Sequence, residues 1–386
     1  MILFLHNRYR TTGGEERAVD DLAWLVREHL DEDVEVLARD SAALGRARAA
    51  RGLLRGGLDE GDVAAAVRRT GARVVHAHNL LPQFGWRALA AAREAGARTV
   101  LHLHNYRLVC AVGTCFTKDG DCTRCHGRDT WPGVRLNCRG TGPEAAVYGV
   151  ALARHQAAMT GHADAVVVPS AFAERRLREL GAPLPAEVHV VPHVVRAEEG
   201  RASGAEGRAS GAEGRGPGGE RRDGGPALVA SRLAREKGVD VAIEACRIAG
   251  IPLVVAGDGP LRADLERRAD GADVRFAGRV SDDELRSLRA EASLAIVPSR
   301  SAETFGLAAA EAMAAGLPVV ATDIGALPEL LPAEQLAPPG DAAALAALAT
   351  TLRGDRAAGE RGREKVRRVA SPDAVAPRLR AVYDDH

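Results

Sequence analysis

Short apolar runs alternate with amphipathic stretches along both halves of this chain, and that alternation constrains its fold more than any other feature. In the first half, strand candidates run from Ile2 to Leu5, Val34 to Leu37, Arg73 to His76, Thr99 to His102, Ala165 to Val168 and Val188 to Val191. Between them lie helix candidates from Glu15 to Leu30, Asp59 to Arg69, Trp86 to Ala95, Glu144 to Thr160 and Ala171 to Leu180. The gaps are short, as helical crossovers between parallel strands require. A second series follows, with strands predicted at Ala227 to Ser231, from Pro252 into a glycine turn at Gly257, and at Leu294 to Ser299. An Ala-rich helix is expected from Phe305 or Gly306 to Ala315, closed by Gly316 and Pro318. With 386 residues the chain is too long for one hydrophobic core. The expectation is α/β, with two doubly wound Rossmann-like domains whose ligands sit beyond the carboxyl ends of the strands.

A seam divides the halves. Arg201 to Gly207 is repeated as Arg208 to Gly214, and a Gly-rich run to Gly225 follows. Lacking apolar periodicity, this stretch reads as a flexible linker over 196–225. It separates a domain at 1–195, carrying a Cys-rich insertion at 106–140, from one at 226–370. A helix at 371–386 is expected to pack back toward the N-terminal domain. The 52 basic and 52 acidic residues cancel, which argues against nucleic acid as a partner. No apolar run reaches the length of a membrane span, and Met1 to Leu5 leads into polar His6-Asn7-Arg8 as a first strand rather than a signal peptide. A cytoplasmic protein is expected. Membrane contact is peripheral at most, through basic patches such as Arg46 to Arg55, which read more simply as a solvated face.

The C-terminal half carries the sharpest chemistry. Glu303 and Glu311 flank the start of the Ala-rich helix in Glu303-Thr304-Phe305-Gly306-Leu307-Ala-Ala-Ala-Glu311. Free amides at a helix start favour an anion, so this spacing puts one carboxylate on each side of a bound phosphate. Upstream, Arg232 and Lys237 follow one strand and Gly257-Asp258-Gly259-Pro260 the next. An arginine fork and a lysine suit the charge of a nucleotide diphosphate. The order S-R-L, E-K-G, G-D-G-P and E-x7-E resembles the donor half of family 4 retaining glycosyltransferases. That resemblance implies the GT-B architecture, two Rossmann-like domains facing a cleft, with the N-terminal domain binding the acceptor and the C-terminal domain the nucleotide sugar.

Three loops of the first half bear on the same reading. Thr11-Thr12-Gly13-Gly14 opens a helix after the first strand, and its glycines let backbone approach a ligand. It is similar to the family's glycine loop beside the acceptor and the diphosphate. His78 and Asn79, after another strand, could hold acceptor hydroxyls. His104 matches the position from which related enzymes reach the donor sugar, while His102 is expected to face the sheet interior or a neighbour. One departure stands out: where the family reads V-I-P-N-G, this chain reads Val190-Val191-Pro192-His193-Val194.

Five of the six cysteines fall between 110 and 138, with a C-x2-C at Cys122 and Cys125. That spacing suits a metal knuckle, and a polar segment with little core gains from a staple. Structural zinc on Cys110, Cys122, Cys125 and Cys138 is the preferred expectation, ahead of free buried thiols and then a disulfide. A branch of family 4 is similar here, with a cysteine after His-Asn-Tyr-Arg.

The resemblance implies a retaining transferase that moves a sugar from a UDP-sugar to an acceptor hydroxyl on a small molecule, such as an antibiotic, or on a polysaccharide precursor. Arg232 and Lys237 would replace a catalytic metal, so no catalytic cofactor is expected. Glu311 would hold the ribose, and Glu303 with the Phe305 to Leu307 amides the sugar hydroxyls. The alternatives are a GT-B epimerase or phosphorylase, and a non-catalytic sugar-binding or scaffold protein.

Overall fold

The computed structural model describes residues 1–8, 13–117, 120–196 and 224–385. The glycine loop's Thr11 and Thr12 and the repeat from Arg201 to Gly214 lie outside the described residues. The chain forms two compact units: Met1–Val194 with Ser301–Phe305 and Pro372–His386, and Val195–Arg300 with Gly306–Ser371.

The first unit carries strands β1 (Ile2–Arg8), β2 (Val34–Asp40), β3 (Val74–Ala77), β4 (Arg98–His102), β5 (Phe116–Thr117), β6 (Gly120–Asp121), β7 (Ala165–Val168) and β8 (His189–Val190). Six of them form a parallel sheet in the order β2-β1-β3-β4-β7-β8. The chain order reverses between β1 and β3, so the loops after those two strands flank a topological switch point. Strands β3 and β7 are buried at every residue, the mark of a parallel sheet covered on both faces. Ile2, Phe4, Val74, Val100 and Val167 pack under Val19, Leu22 and Val26 of the helix Gly14–His29, and under Val375, Leu379 and Val382 of the helix Pro372–Asp384. Full burial of each such side chain contributes roughly 1.5–3 kcal/mol.

The second unit holds β9 (Ala227–Ala230), β10 (Leu253–Ala256), β11 (Val274–Gly278), β12 (Leu294–Val297), β13 (Val319–Thr322) and β14 (Leu336–Ala337) in one parallel sheet. Its order, β11-β10-β9-β12-β13-β14, is that of a dinucleotide-binding fold, with the switch point between β9 and β12. Val229, Val255, Ile296 and Val320 pack against Val239–Ala249 and Ala342–Leu352.

Some elements differ from expectation. The Ala-rich helix spans Leu307–Ala314, because Gly306 takes a left-handed φ of 92° and so ends the loop rather than opening the helix. Arg46–Arg55, expected only as a basic surface, is a helix that buries Gly52 and Leu53 and leaves its arginines outside. The Cys-rich insertion holds the β5–β6 ribbon and the one-turn helix Trp131–Arg135.

Candidate active site

In the second unit the charged residues gather at the carboxyl ends of the strands that flank the switch point. Arg232 lies two residues beyond β9 and forms an ion pair with Glu236. Lys237 ends the short turn Arg235–Lys237, and Gly238 follows at φ 64°. A side chain at Gly238 would lie 2.0 Å from the Pro298 carbonyl oxygen, so only glycine lets this loop meet the loop after β12. The two loops are also stapled. Arg300 donates both terminal nitrogens to Asp240 at 2.9 and 2.8 Å, and its amide donates to the Glu236 carbonyl at 2.8 Å. Such a bidentate fork fixes angle as well as distance.

Gly257, expected to line the donor, has φ 135°, and a Cβ there would stand 1.9 Å from the Ser231 carbonyl oxygen. Its requirement is therefore the close approach of the loops after β9 and β10. Glu311 sits on the second turn of Leu307–Ala314, buried, and accepts from Arg289 Nη2 at 2.5 Å. Breaking a buried pair of this kind costs about 3–5 kcal/mol.

In the first unit, the residues expected to meet acceptor and sugar lie among stacked histidines. His78 Nδ1 is 2.9 Å from His104 Nε2. The His104 ring stacks on His102 at 4.1 Å and on His193 at 5.1 Å, and His76 stacks on His78 at 4.4 Å. His102, expected to face the sheet interior or a neighbour, is buried and stacks on His76 at 5.3 Å as well as on His104, which lies just beyond the end of β4. His76 Nδ1 is 2.7 Å from the Tyr383 hydroxyl of the C-terminal helix.

Burial holds these imidazoles neutral. The pKa of His76 is lowered to about 3, and those of His6 and His193 to about 4, in each case mainly by loss of solvation. Those of His78, His102 and His104 lie well below 6.5 for the same cause, reinforced by their neighbours. His104 Nδ1 is buried with no hydrogen-bond partner among the described residues, as are both ring nitrogens of His102. An uncharged imidazole with one unengaged nitrogen can meet a hydroxyl without repelling or trapping charge.

The segment Ser301–Phe305 belongs to the same unit. Thr304 donates its hydroxyl to the His104 carbonyl at 2.8 Å, and its own carbonyl accepts from Ser170 Oγ at 2.6 Å. Tyr106 donates to the Ala302 carbonyl at 3.0 Å. Phe305 meets His193 edge-on at 5.3 Å. The backbone on both sides of Glu303 is thus tied down, and this brings His78, His104, Thr304 and Phe305 together.

Gly13 caps the helix that Gly14 opens, and its amide donates to Glu16 Oε2 at 2.8 Å. Asn79 is spent on structure: its amide nitrogen donates to the Asn7 carbonyl at 2.6 Å and its oxygen accepts from the Leu81 amide at 3.2 Å. The first bond ties the loop after β3 to the end of strand β1, and the second lies within that loop.

Two family models cover these regions. One, described as Glycosyl transferase 4-like domain, matches residues 10–193; the other, Glycosyl transferases group 1, matches residues 226–355. The chain belongs to the GT-B glycosyltransferases. Among curated relatives, a GDP-mannose-dependent alpha-(1-6)-phosphatidylinositol dimannoside mannosyltransferase of Mycobacterium tuberculosis is 44% identical over 109 residues. That match spans 27% of this chain and 28% of the relative's length. The fold is shared with sucrose-phosphate synthase from Thermosynechococcus elongatus, at TM-score 0.69 and 19% identity over 99% of this chain and 98% of that one. It is shared too with Anabaena HepE in complex with UDP, at TM-score 0.63 and 17% identity over the whole of both chains.

The insertion of this GT-B glycosyltransferase brings its thiols into one neighbourhood without closing them on a point. The Cys110 thiol is lowered to about 6 by a hydrogen bond from Cys115, whose own thiol is pushed up by that bond and by burial. Cys125 is raised to about 11 by burial, with Cys110, Cys138 and Cys122 adding to it, and Cys138 is raised by burial and then by Cys110 and Cys122. Among the described residues, the sets of three or more ligand atoms within 4.8 Å of one another are two histidine sets, His76-His78-His102 and His102-His104-His193. No helix among the described residues is long and apolar enough to cross a membrane.

Proposed function

We propose that this glycosyltransferase is a retaining enzyme that moves a sugar from a nucleotide diphosphate, UDP in the first instance, to an acceptor hydroxyl. The observation that best supports the reading is the placement of Arg232 and Lys237 in the loop that follows β9, beside the switch point of a dinucleotide-type sheet. There the two cations neutralise the diphosphate as its bond to the sugar breaks. Glu311 holds the ribose hydroxyls. Glu303, with the backbone amides of Phe305 to Leu307, holds hydroxyls of the transferred sugar, and Thr304 keeps that segment in place. His104 reaches the sugar as a neutral imidazole, held in orientation by His78. Gly13, Gly14 and His78 border the acceptor. The acceptor oxygen attacks the anomeric carbon from the face the diphosphate leaves, and its proton passes to the departing phosphate oxygen.

The acceptor is a small aglycone or a polysaccharide precursor. The mycobacterial relative is named for GDP-mannose, whereas HepE was solved with UDP, so the donor test must span both nucleotides. Purified protein offered UDP-glucose, UDP-N-acetylglucosamine and GDP-mannose, with small aglycones or lipid-linked sugars, is expected to release UDP faster than GDP and faster with an acceptor than without. No acceptor-stimulated release from any donor would refute transferase activity.

Cys110, Cys122, Cys125 and Cys138 are proposed to hold a structural zinc. Their soft donors and C-x2-C spacing suit that ion, which would draw these thiols together, close the insertion and take no part in the chemistry.

A further inference from the structure

Helix Asp282–Glu291 has one fully buried residue, and it is an arginine. Leu285 and Leu288 of the same helix stay partly exposed while Arg289 is 6% exposed. Desolvating a guanidinium while leaving leucines in water opposes the ordinary order of burial, and it persists only where a specific partner compensates. That partner is Glu311, itself 9% exposed, whose Oε2 lies 2.5 Å from Arg289 Nη2. Packing alone could be met by two apolar side chains of similar volume, and such replacements of buried pairs are often neutral or stabilising. The pair also lines a small crevice with Val195, Arg196, Asp282 and Arg286, so it borders a cavity rather than sealed packing.

We propose that Arg289 is a positioning residue that fixes the Glu311 carboxylate for a ribose diol and thereby makes the donor site select ribonucleotides over deoxyribonucleotides. The inference rests on the reading of Glu311 as the ribose-holding acid. A glutamate side chain turns about three torsions, and an unanchored carboxylate meets two adjacent hydroxyls in only a fraction of its rotamers. The arginine holds one oxygen, and an ionised carboxylate has about four acceptor directions, so capacity for the diol persists beside the ion pair. Removing the 2′-hydroxyl from the ligand should then cost affinity only while the carboxylate is held.

Calorimetric titration with UDP and with 2′-deoxy-UDP tests this on wild type, Arg289→Leu, Arg289→Lys and Glu311→Ala. Wild type is expected to prefer UDP by about tenfold, equivalent to about 1.4 kcal/mol. Arg289→Leu should weaken UDP by about that factor, leave 2′-deoxy-UDP within about twofold, and raise the donor KM with kcat little changed. Arg289→Lys should recover part of the preference, and it keeps the test decisive if the leucine variant fails to fold. Equal weakening of both nucleotides, or an unchanged preference in both Arg289 variants, would overturn the positioning role. If Glu311→Ala keeps the full wild-type preference, the ribose reading of Glu311 itself falls. If it abolishes the preference while the Arg289 variants retain it, only the inference fails.

Discussion

The second unit gathers charged side chains at its switch point, whereas the first gathers buried neutral rings. Around the switch point of β9 and β12, Arg232, Glu236, Lys237 and Arg300 sit on loops spaced by glycine, Asp240 lies in the first turn of the helix that follows, and several are ion-paired. At the ends of β3 and β4, imidazoles stack out of water, and several of their ring nitrogens have no hydrogen-bond partner among the described residues. Fixed charges suit a diphosphate, whose binding energy is electrostatic. Uncharged donors and acceptors suit hydroxyls, and they would lose that character if protonated. Each chemistry makes its own demand on the surroundings, and substitutions can separate the two.

The largest effect should come from the charged side. Lys237→Ala and Arg232→Ala are each expected to slow turnover by about a hundredfold, on the order of 3 kcal/mol of transition-state stabilisation, with the fold intact. Steady-state release of nucleotide checks this, with circular dichroism as the control; unchanged turnover in either variant would remove the donor assignment.

The two glutamates sharpen the comparison, since Glu303 lies in the first unit's segment and Glu311 in the second unit. Glu311→Ala should weaken free UDP by about tenfold, and Glu303→Ala should leave that affinity nearly unchanged while lowering kcat. Equal loss of UDP affinity in both variants would contradict the split.

Acid should strike the histidines first. In the folded chain His6, His76 and His193 take up protons only near pH 4, 3 and 4, against 6.5 for an ordinary histidine. Between those values the unfolded chain binds more protons than the folded one. Stability is therefore undiminished above about pH 6.5 and falls as pH drops toward 4. Melting temperature is expected to fall by about 10 °C or more across that range. Replacing His76 and His102 together by phenylalanine should flatten the slope if that variant folds. A wild-type melting temperature that holds level between pH 6.5 and 4 would contradict the neutral stack.

The smallest effects concern the peripheral segments. Zinc analysis of protein purified without an affinity tag should find about one ion per chain, and stripping it should loosen the insertion before it affects turnover. Sub-stoichiometric zinc with every cysteine reacting in the native state would end that proposal. Deleting Arg201 to Gly214 should change melting temperature and rate hardly at all, because loop length costs little entropy. A collapse in either would show that the repeat packs on something.

How much of this was legible in the sequence differs by region for a physical reason. The strands of both sheets are mostly short apolar runs, and Arg232, Lys237, Glu303 and Glu311 follow them at short spacing, so local pattern together with the family resemblance was enough to nominate these four as donor residues. The histidine stack depends on register between strands, with His76 opposite Val100 and Ala77 opposite Leu101, and on a tyrosine from the last helix. No single window of sequence contains that. His193 was visible only as a departure from V-I-P-N-G, and its stacking on His104 emerges only in three dimensions. Arg289 and Arg300 were hidden among 52 basic residues, because nothing local marks which arginine is buried or forked.

Proton NMR of the product's anomeric centre tests the central claim most directly. With the α-linked UDP-sugar that gives the fastest acceptor-stimulated release, the account predicts one equivalent of UDP and a new α-glycoside per turnover. A β-glycoside, or free sugar as the main product in the presence of acceptor, would contradict retaining transfer.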